Sequence, residues 1–233
     1  MASVIVALDF PRGAEALALV DDLGEVGTFY KVGLQLYTSE GTHLVEALKD
    51  RGKRVFLDLK LHDIPNTVAG GVRAASELGV DLLTLHTAGG GAMLEAARDA
   101  ADGTRLLGVT VLTSLGEADL KATWARKTLS VVDEVGRLAD LAAQHGIHGV
   151  VVSPHEASSV RSRVGPKFLI VTPGIRPAGV DHDDQQRVAT PAAAVAAGAD
   201  YLVIGRSITR ASDPETALHS ILSEVDLANS NDG

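Results

Sequence analysis

The sequence contains no cysteine. That removes disulfide bonds, thiol nucleophiles and thiolate–metal sites from consideration. Aromatic residues are scarce, at 3% of the chain. A core must therefore be filled by Val, Leu, Ile and Ala, which suits a parallel sheet covered by Ala- and Leu-rich helices. Positive charge is in deficit: 21 Lys and Arg stand against 30 Asp and Glu, for a net charge of −9. This argues against a nucleic-acid partner. A small anionic ligand is still open, because it needs only a local cluster of donors. No apolar run is long enough to cross a bilayer. The opening residues, Met1-Ala2-Ser3-Val4-Ile5-Val6-Ala7-Leu8-Asp9, carry no basic stretch and too short an apolar run for a signal peptide. The expectation is a cytoplasmic protein with no membrane association.

What the chain does have is 45% hydrophobic residues and 24 glycines, ample for a sizeable core. Strand-like runs at 3–9, 28–34, 55–60, 81–86, 105–112, 149–153, 168–172 and 201–204 alternate with helix-like segments. Those segments are 11–23, 39–51, 66–78, 90–101, 129–145, 155–164, 191–197 and 213–225. Residues 113–128 are less regular, and 228–233 are expected to fray. No linker or shift in composition interrupts the series, so 1–233 is expected to form one domain. Strict alternation implies a parallel sheet with right-handed crossovers. Eight such units predict an α/β fold closed as a (β/α)8 TIM barrel. An open doubly wound sheet is the alternative, but no G-x-G-x-x-G follows the first strand to support it.

In such a barrel, function collects at the C-terminal ends of the strands. The third strand leads into Phe56-Leu57-Asp58-Leu59-Lys60-Leu61-His62-Asp63-Ile64-Pro65-Asn66-Thr67. Residues i and i+2 of a strand share a face. Phe56, Asp58 and Lys60 therefore fall on one face, and Val55, Leu57 and Leu59 on the other. Asp9 ends the first strand and Lys31 lies near the end of the second. Asp9, Lys31, Asp58, Lys60 and, past the strand, Asp63 are candidates for one alternating network. Two readings stand: an ion-pair lattice that closes the barrel top, or a reactive centre. A lysine set between carboxylates stays cationic. It is poorly suited to Schiff-base attack. It is well suited to stabilise a developing carbanion and then deliver a proton.

The loops after strands seven and eight carry Thr172-Pro173-Gly174-Ile175-Arg176 and Gly205-Arg206-Ser207. Glycine lets a backbone N–H approach an oxyanion closely, and arginine grips it bidentately. A short helix over 207–211 would add its N-terminal dipole. Each loop alone also reads as an ordinary strand-to-helix turn; the pairing of Gly with Arg in both favours a phosphate grip. The polar run Val180-Asp181-His182-Asp183-Asp184-Gln185-Gln186 reads as a solvated loop or as a lid beside that grip. His86, His155 and His182 lack metal-ligand spacing and read as loop or core residues. Trp124 reads as packing or an interface residue.

The stretch from Phe56 to Thr67 resembles the D-x-K-x-x-D-I-P-x-T signature of the type 1 orotidine 5'-phosphate decarboxylase family. Val6-Ala7-Leu8-Asp9, Tyr30-Lys31-Val32-Gly33, Val111-Leu112-Thr113-Ser114, Thr172 to Arg176, Asp184-Gln185 and Ile204-Gly205-Arg206 follow in family order. The similarity covers essentially the whole chain. It implies conversion of orotidine 5'-phosphate (OMP) to UMP and CO2, the last step of UMP biosynthesis, without metal or organic cofactor. It implies that Lys60 donates the proton to C6 and that Asp58 sits against the leaving carboxylate. Lys31 and Asp63 complete the charged network, and Asp9 and Lys31 touch the ribose. Thr113 faces the pyrimidine, while Arg176, Gln185, Gly205 and Arg206 hold the phosphate. It further implies a homodimer in which Asp63 and Thr67 act in the neighbouring subunit's site. The related 3-keto-L-gulonate 6-phosphate decarboxylases and hexulose-phosphate synthases share the D-x-K-x-x-D core but use Mg2+. They carry a carboxylate on strand two where this chain has Lys31. A non-catalytic phosphate-binding barrel is the reading from another class, and the intact Asp58, Lys60 and Asp63 set argues against it.

Overall fold

Short Val-, Ile- and Leu-rich runs, each followed by a polar or glycine turn and an Ala- and Leu-rich segment, fold as alternating strands and helices. The computed structural model describes residues 1–125, 127–177 and 189–231. The first half comprises β1 (Ser3–Leu8), α1 (Gly13–Leu23), β2 (Phe29–Gly33), α2 (Leu34–Glu40), α3 (Thr42–Asp50), β3 (Arg54–Leu61), α4 (Pro65–Glu77), β4 (Leu82–His86) and α5 (Gly91–Ala100). The second half begins with β5 (Arg105–Val109), α6 (Glu117–Thr123), α7 (Val131–Gln144), β6 (Gly149–Val151) and α8 (Pro154–Val164). It ends with β7 (Leu169–Thr172), α9 (Pro191–Ala196), β8 (Tyr201–Ile204), α10 (Arg206–Thr209) and α11 (Pro214–Asn231). All eight strands pair in parallel in chain order, and β8 closes on β1 through Ile5 opposite Val203. The predicted (β/α)8 barrel is the observed fold.

Strand alternation sorts the apolar side chains into two layers. Ile5, Ala7, Phe29, Phe56, Leu82 and Leu107 are among those that fill the barrel interior. Val6, Leu8, Val55, Leu57, Leu83 and Leu106 point outward into the layer shared with the helices, and Leu59 packs against it. Burial at this density supplies the main stabilisation of such a fold, at ~25 cal/mol per Å2 of apolar surface. The N-terminal end of the barrel is closed by polar groups that satisfy one another. The Arg54 guanidinium lies 4.0 Å from the Phe29 ring centre and pairs with Asp81 at 3.0 Å. Arg105 donates to the Tyr201 hydroxyl at 2.9 Å. Groups at this end of a barrel serve stability, and chemistry is expected at the opposite end.

Several boundaries differ from the sequence expectation. The helix expected over 39–51 is α3, which starts only at Thr42, and a separate helix, α2, precedes it over Leu34–Glu40; Gly41, at φ +65°, stands between the two. The irregular stretch 113–128 contains α6, and strand five stops at Val109. The last helix runs through the segment expected to fray, as far as Asn231. Asn229 holds it there: its side-chain amide accepts from the Ala2 amide at 2.8 Å and donates to the Ala2 carbonyl at 3.1 Å. Among the described residues, no helix is long and apolar enough to cross a membrane.

Candidate active site

The ends of β1, β2 and β3 place four charges in a row. Lys31 Nζ lies 2.9 Å from Asp9 Oδ1 and 3.8 Å from Asp58 Oδ2. Lys60 Nζ donates to both carboxylate oxygens of Asp58 at 2.8 Å. Two ammonium groups and two carboxylates leave the row formally neutral. Lys31 and Asp58 are well shielded, with side chains 12% and 15% exposed, whereas Asp9 opens to solvent at 64%. Gly33 makes room for the row, since a Cβ at that position would stand 3.1 Å from Lys31 Nζ.

Lys60 does not reach its place by simple pleating. Leu57 pairs with Leu83 and Leu61 with Leu85, so β3 carries two more residues than β4 across that interval. Adding two residues preserves the parity of the strand across the bulge, so Leu57 and Leu61 both face the outer layer. The bulge puts Lys60 at φ +53°, one of two non-glycine residues with positive φ among those described. The left-handed region costs a residue with a Cβ roughly 1–2 kcal/mol. The bulge also takes the Lys60 amide out of the ladder. Thr84, fully buried on β4, accepts from that amide at 2.9 Å and donates to Asp58 Oδ1 at 2.9 Å. Sequence reasoning passed over Thr84 and the bulge. The available signal was Thr84's parity with Leu82 and His86, which makes it a polar residue facing the barrel interior.

These side chains form one wall of a cavity of about 220 Å3 at the C-terminal end of the barrel. Its floor is Ala7, Phe56 and Val203; Leu112 and Thr113 line another side. Gly174, Arg176, Gly205 and Arg206 line the end contributed by the β7 and β8 loops. The Gly174 loop is fixed by backbone bonds: the Arg176 amide donates to Ala189 at 2.9 Å, and the Ala189 amide donates to Gly174 at 3.3 Å. Gly174 has φ +79°, a conformation open to glycine and rarely to other residues. Arg176 is 5% exposed, and its guanidinium donates to the Ile175 carbonyl at 3.1 Å. Gly205 caps α10, which begins at Arg206, slightly earlier than the helix expected over 207–211.

Asp63 does not join the row within its own chain. β3 ends at Leu61 and Pro65 starts α4, which leaves Asp63 in the turn between them. There its carboxylate accepts from the Ile64 amide at 2.6 Å and is exposed. The expected five-member network therefore has four members in one chain. Thr67, on the first turn of α4, is exposed as well. Beside them Ile64 is 66% exposed. Gln185, His182 and the rest of the polar run 180–186 lie outside the described residues. His86 is half-buried, with its ring 5.2 Å from that of His62. Burial, with help from His62 and Lys60, holds its pKa below the ordinary histidine value. His155 is exposed on the first turn of α8, and Trp124 is partly exposed just after α6.

The chain as a whole, sequence and fold, resembles known proteins. The sequence model of the "Orotidine 5'-phosphate decarboxylase / HUMPS family" matches residues 2–221. The chain belongs to this family. Orotidine 5'-phosphate decarboxylase from Moorella thermoacetica is 49% identical over 96% of this chain and 92% of its own length. Its counterpart from Synechocystis is 50% identical, over 95% of this chain and 97% of the relative. The crystal structure of orotidine 5'-phosphate decarboxylase from Lactobacillus acidophilus superposes with a TM-score of 0.86. It is 36% identical, and the match covers 97% of this chain and all of that one. The enzyme from Pyrococcus horikoshii superposes at 0.79 with 25% identity, over 96% of this chain and 99% of the other.

Proposed function

We propose that the protein is a decarboxylase that converts OMP to UMP and CO2 in pyrimidine biosynthesis, working as a cytoplasmic homodimer without metal or cofactor. The observation that carries this reading is the Asp9–Lys31–Asp58–Lys60 row in one cavity with Arg176 and Arg206. In the reaction the bond between C6 and the carboxylate breaks, CO2 leaves, and the electron pair remains on C6. That pair has little delocalisation, so a cation already in place is the effective stabiliser. Lys60 supplies the cation and then transfers a proton from Nζ to C6. Asp58 fixes Lys60 from its near side and faces the leaving carboxylate. Lys31 and Asp9 hold the ribose hydroxyls, and Thr113 meets the pyrimidine. Arg176, Gly205, Arg206 and Gln185 take the phosphate, a group remote from C6 whose binding energy is used at the reacting centre. Asp63 and Thr67 complete the partner's site.

The metal-dependent alternative is disfavoured by Lys31. Its ammonium lies between Asp9 and Asp58, where a divalent cation would need those carboxylates. The test is to incubate purified protein with OMP and identify the products. UMP and CO2 in equal amounts are expected; recovery of unchanged OMP overturns the proposal.

A further inference from the structure

We propose that Thr84 is a positioning residue for the reaction, acting through both Asp58 and Lys60; this rests on the decarboxylase reading above. Its hydroxyl stands at the one place where β4 meets the bulge of β3. The Lys60 amide has no ladder partner there and donates to Thr84 Oγ1 at 2.9 Å. An amide can only donate, so the hydroxyl acts as acceptor in that bond. Its own proton is then committed elsewhere, and Asp58 Oδ1 takes it at 2.9 Å. One hydroxyl thus ties the backbone of the lysine and the side chain of the aspartate to the same point on a buried strand.

The consequence is geometric. Lys60 has φ +53°, a conformation its side chain does not favour, so something outside the residue must hold it. Asp58 fixes the tip of the side chain, with Nζ 2.8 Å from both its oxygens. Thr84 fixes the root, at the amide. Thr84 is fully buried and is not among the residues lining the cavity, so it acts without touching substrate. A hydroxyl with two bonds of fixed direction also restricts the rotation of the Asp58 carboxylate. Placement of catalytic groups within a fraction of an ångström depends on supporting bonds of this kind.

The experiment compares Thr84→Val, Thr84→Ala and Thr84→Ser with the wild type. Misplacement of a reacting group by about 1 Å costs on the order of 100-fold in rate. Thr84→Val and Thr84→Ala are expected to lower kcat by about 10- to 100-fold. Titration with UMP should still find one site per chain, at an affinity within about 3-fold of wild type, because ribose and phosphate contacts are untouched. Thr84→Ser keeps the hydroxyl and is expected to recover most of kcat despite the lost methyl. An unchanged kcat in both hydroxyl-free variants overturns the proposal. So does a Ser variant as slow as the Val variant, which would trace the effect to packing. A fall in kcat matched by fewer UMP sites, or failure of both hydroxyl-free variants to fold, assigns Thr84 to folding alone and also overturns it. If the wild type itself leaves OMP unchanged, the decarboxylase reading fails first, and Thr84 has no reaction to position.

Discussion

Lys60 combines a disfavoured backbone with a side chain held by one carboxylate: φ is +53° and Nζ bonds both oxygens of Asp58. Strain of this kind persists only where surrounding contacts over-determine it, and it collects at functional sites. Lys60→Ala is expected to lower turnover of OMP by at least about 10^4-fold, the combined scale of a lost proton donor and a lost preorganised charge. Alanine meets the same backbone penalty at φ +53°, so circular dichroism and the denaturation midpoint should change little. Near-normal turnover would contradict the role given to Lys60. Asp9, Lys31, Asp58 and Lys60 were legible in the sequence because strand parity and strand ends depend only on order along the chain. Thr84's inward face was legible by the same parity, but its bonds were not, because they arise from a bulge, and nothing in the alternation of Phe56 to Leu61 announces two extra residues. Gly33 sits between the two cases. Its shared face with Lys31 was readable, but the 3.1 Å clearance it provides to Nζ was not.

At the scale of elements, the turn between β3 and α4 takes no part in the cavity that the end of β3 lines. Asp63 and Thr67 are exposed, next to exposed Ile64, while Asp58 and Lys60 line the cavity. A symmetric dimer that seats this turn on its partner would complete each site with residues from two chains. Lys60→Ala and Asp63→Ala chains, each nearly inactive alone, should then restore activity when unfolded and refolded together. Random assortment of a two-fold dimer gives roughly a quarter of the wild-type sites. No recovery on mixing would show that Asp63 acts within its own chain or not at all. Element order was legible from hydrophobic runs and glycine stops. The separate helix α2 was less so, because a single glycine at 41 does not mark a boundary until its φ is known. The extension of α11 to Asn231 depends on a long-range bond to Ala2, which local composition cannot reveal.

At the scale of the whole molecule, the closed barrel separates two polar ends. One end is self-satisfied around Arg54, Asp81 and Tyr201; the other leaves a cavity lined with charges. Histidines placed against the sheet make the assembly sensitive to acid. His148 Nδ1 accepts from the Leu106 amide at 3.0 Å, a bond that protonation of that nitrogen removes. Although His148 is exposed as a residue, partial desolvation of its ring, then the charge of Arg105, holds its pKa below the ordinary value, as burial does for the half-buried His86. A histidine depressed in the folded state is protonated first in the unfolded chain. The stability it contributes is therefore full above about 6.5 and is lost as pH falls from there toward the folded value. The urea midpoint should drop between pH 7.5 and 5.5, and His148→Asn, which keeps an acceptor without a titrating ring, should reduce that drop. Equal pH dependence in the two proteins would remove His148 from the explanation. The most direct test of the account concerns the intact protein and its proposed substrate. Purified protein treated with EDTA is mixed with OMP, and the absorbance of OMP is followed. That absorbance is expected to fall at a rate unchanged by the chelator. Persistent OMP, or activity lost to EDTA and restored by Mg2+, would contradict it.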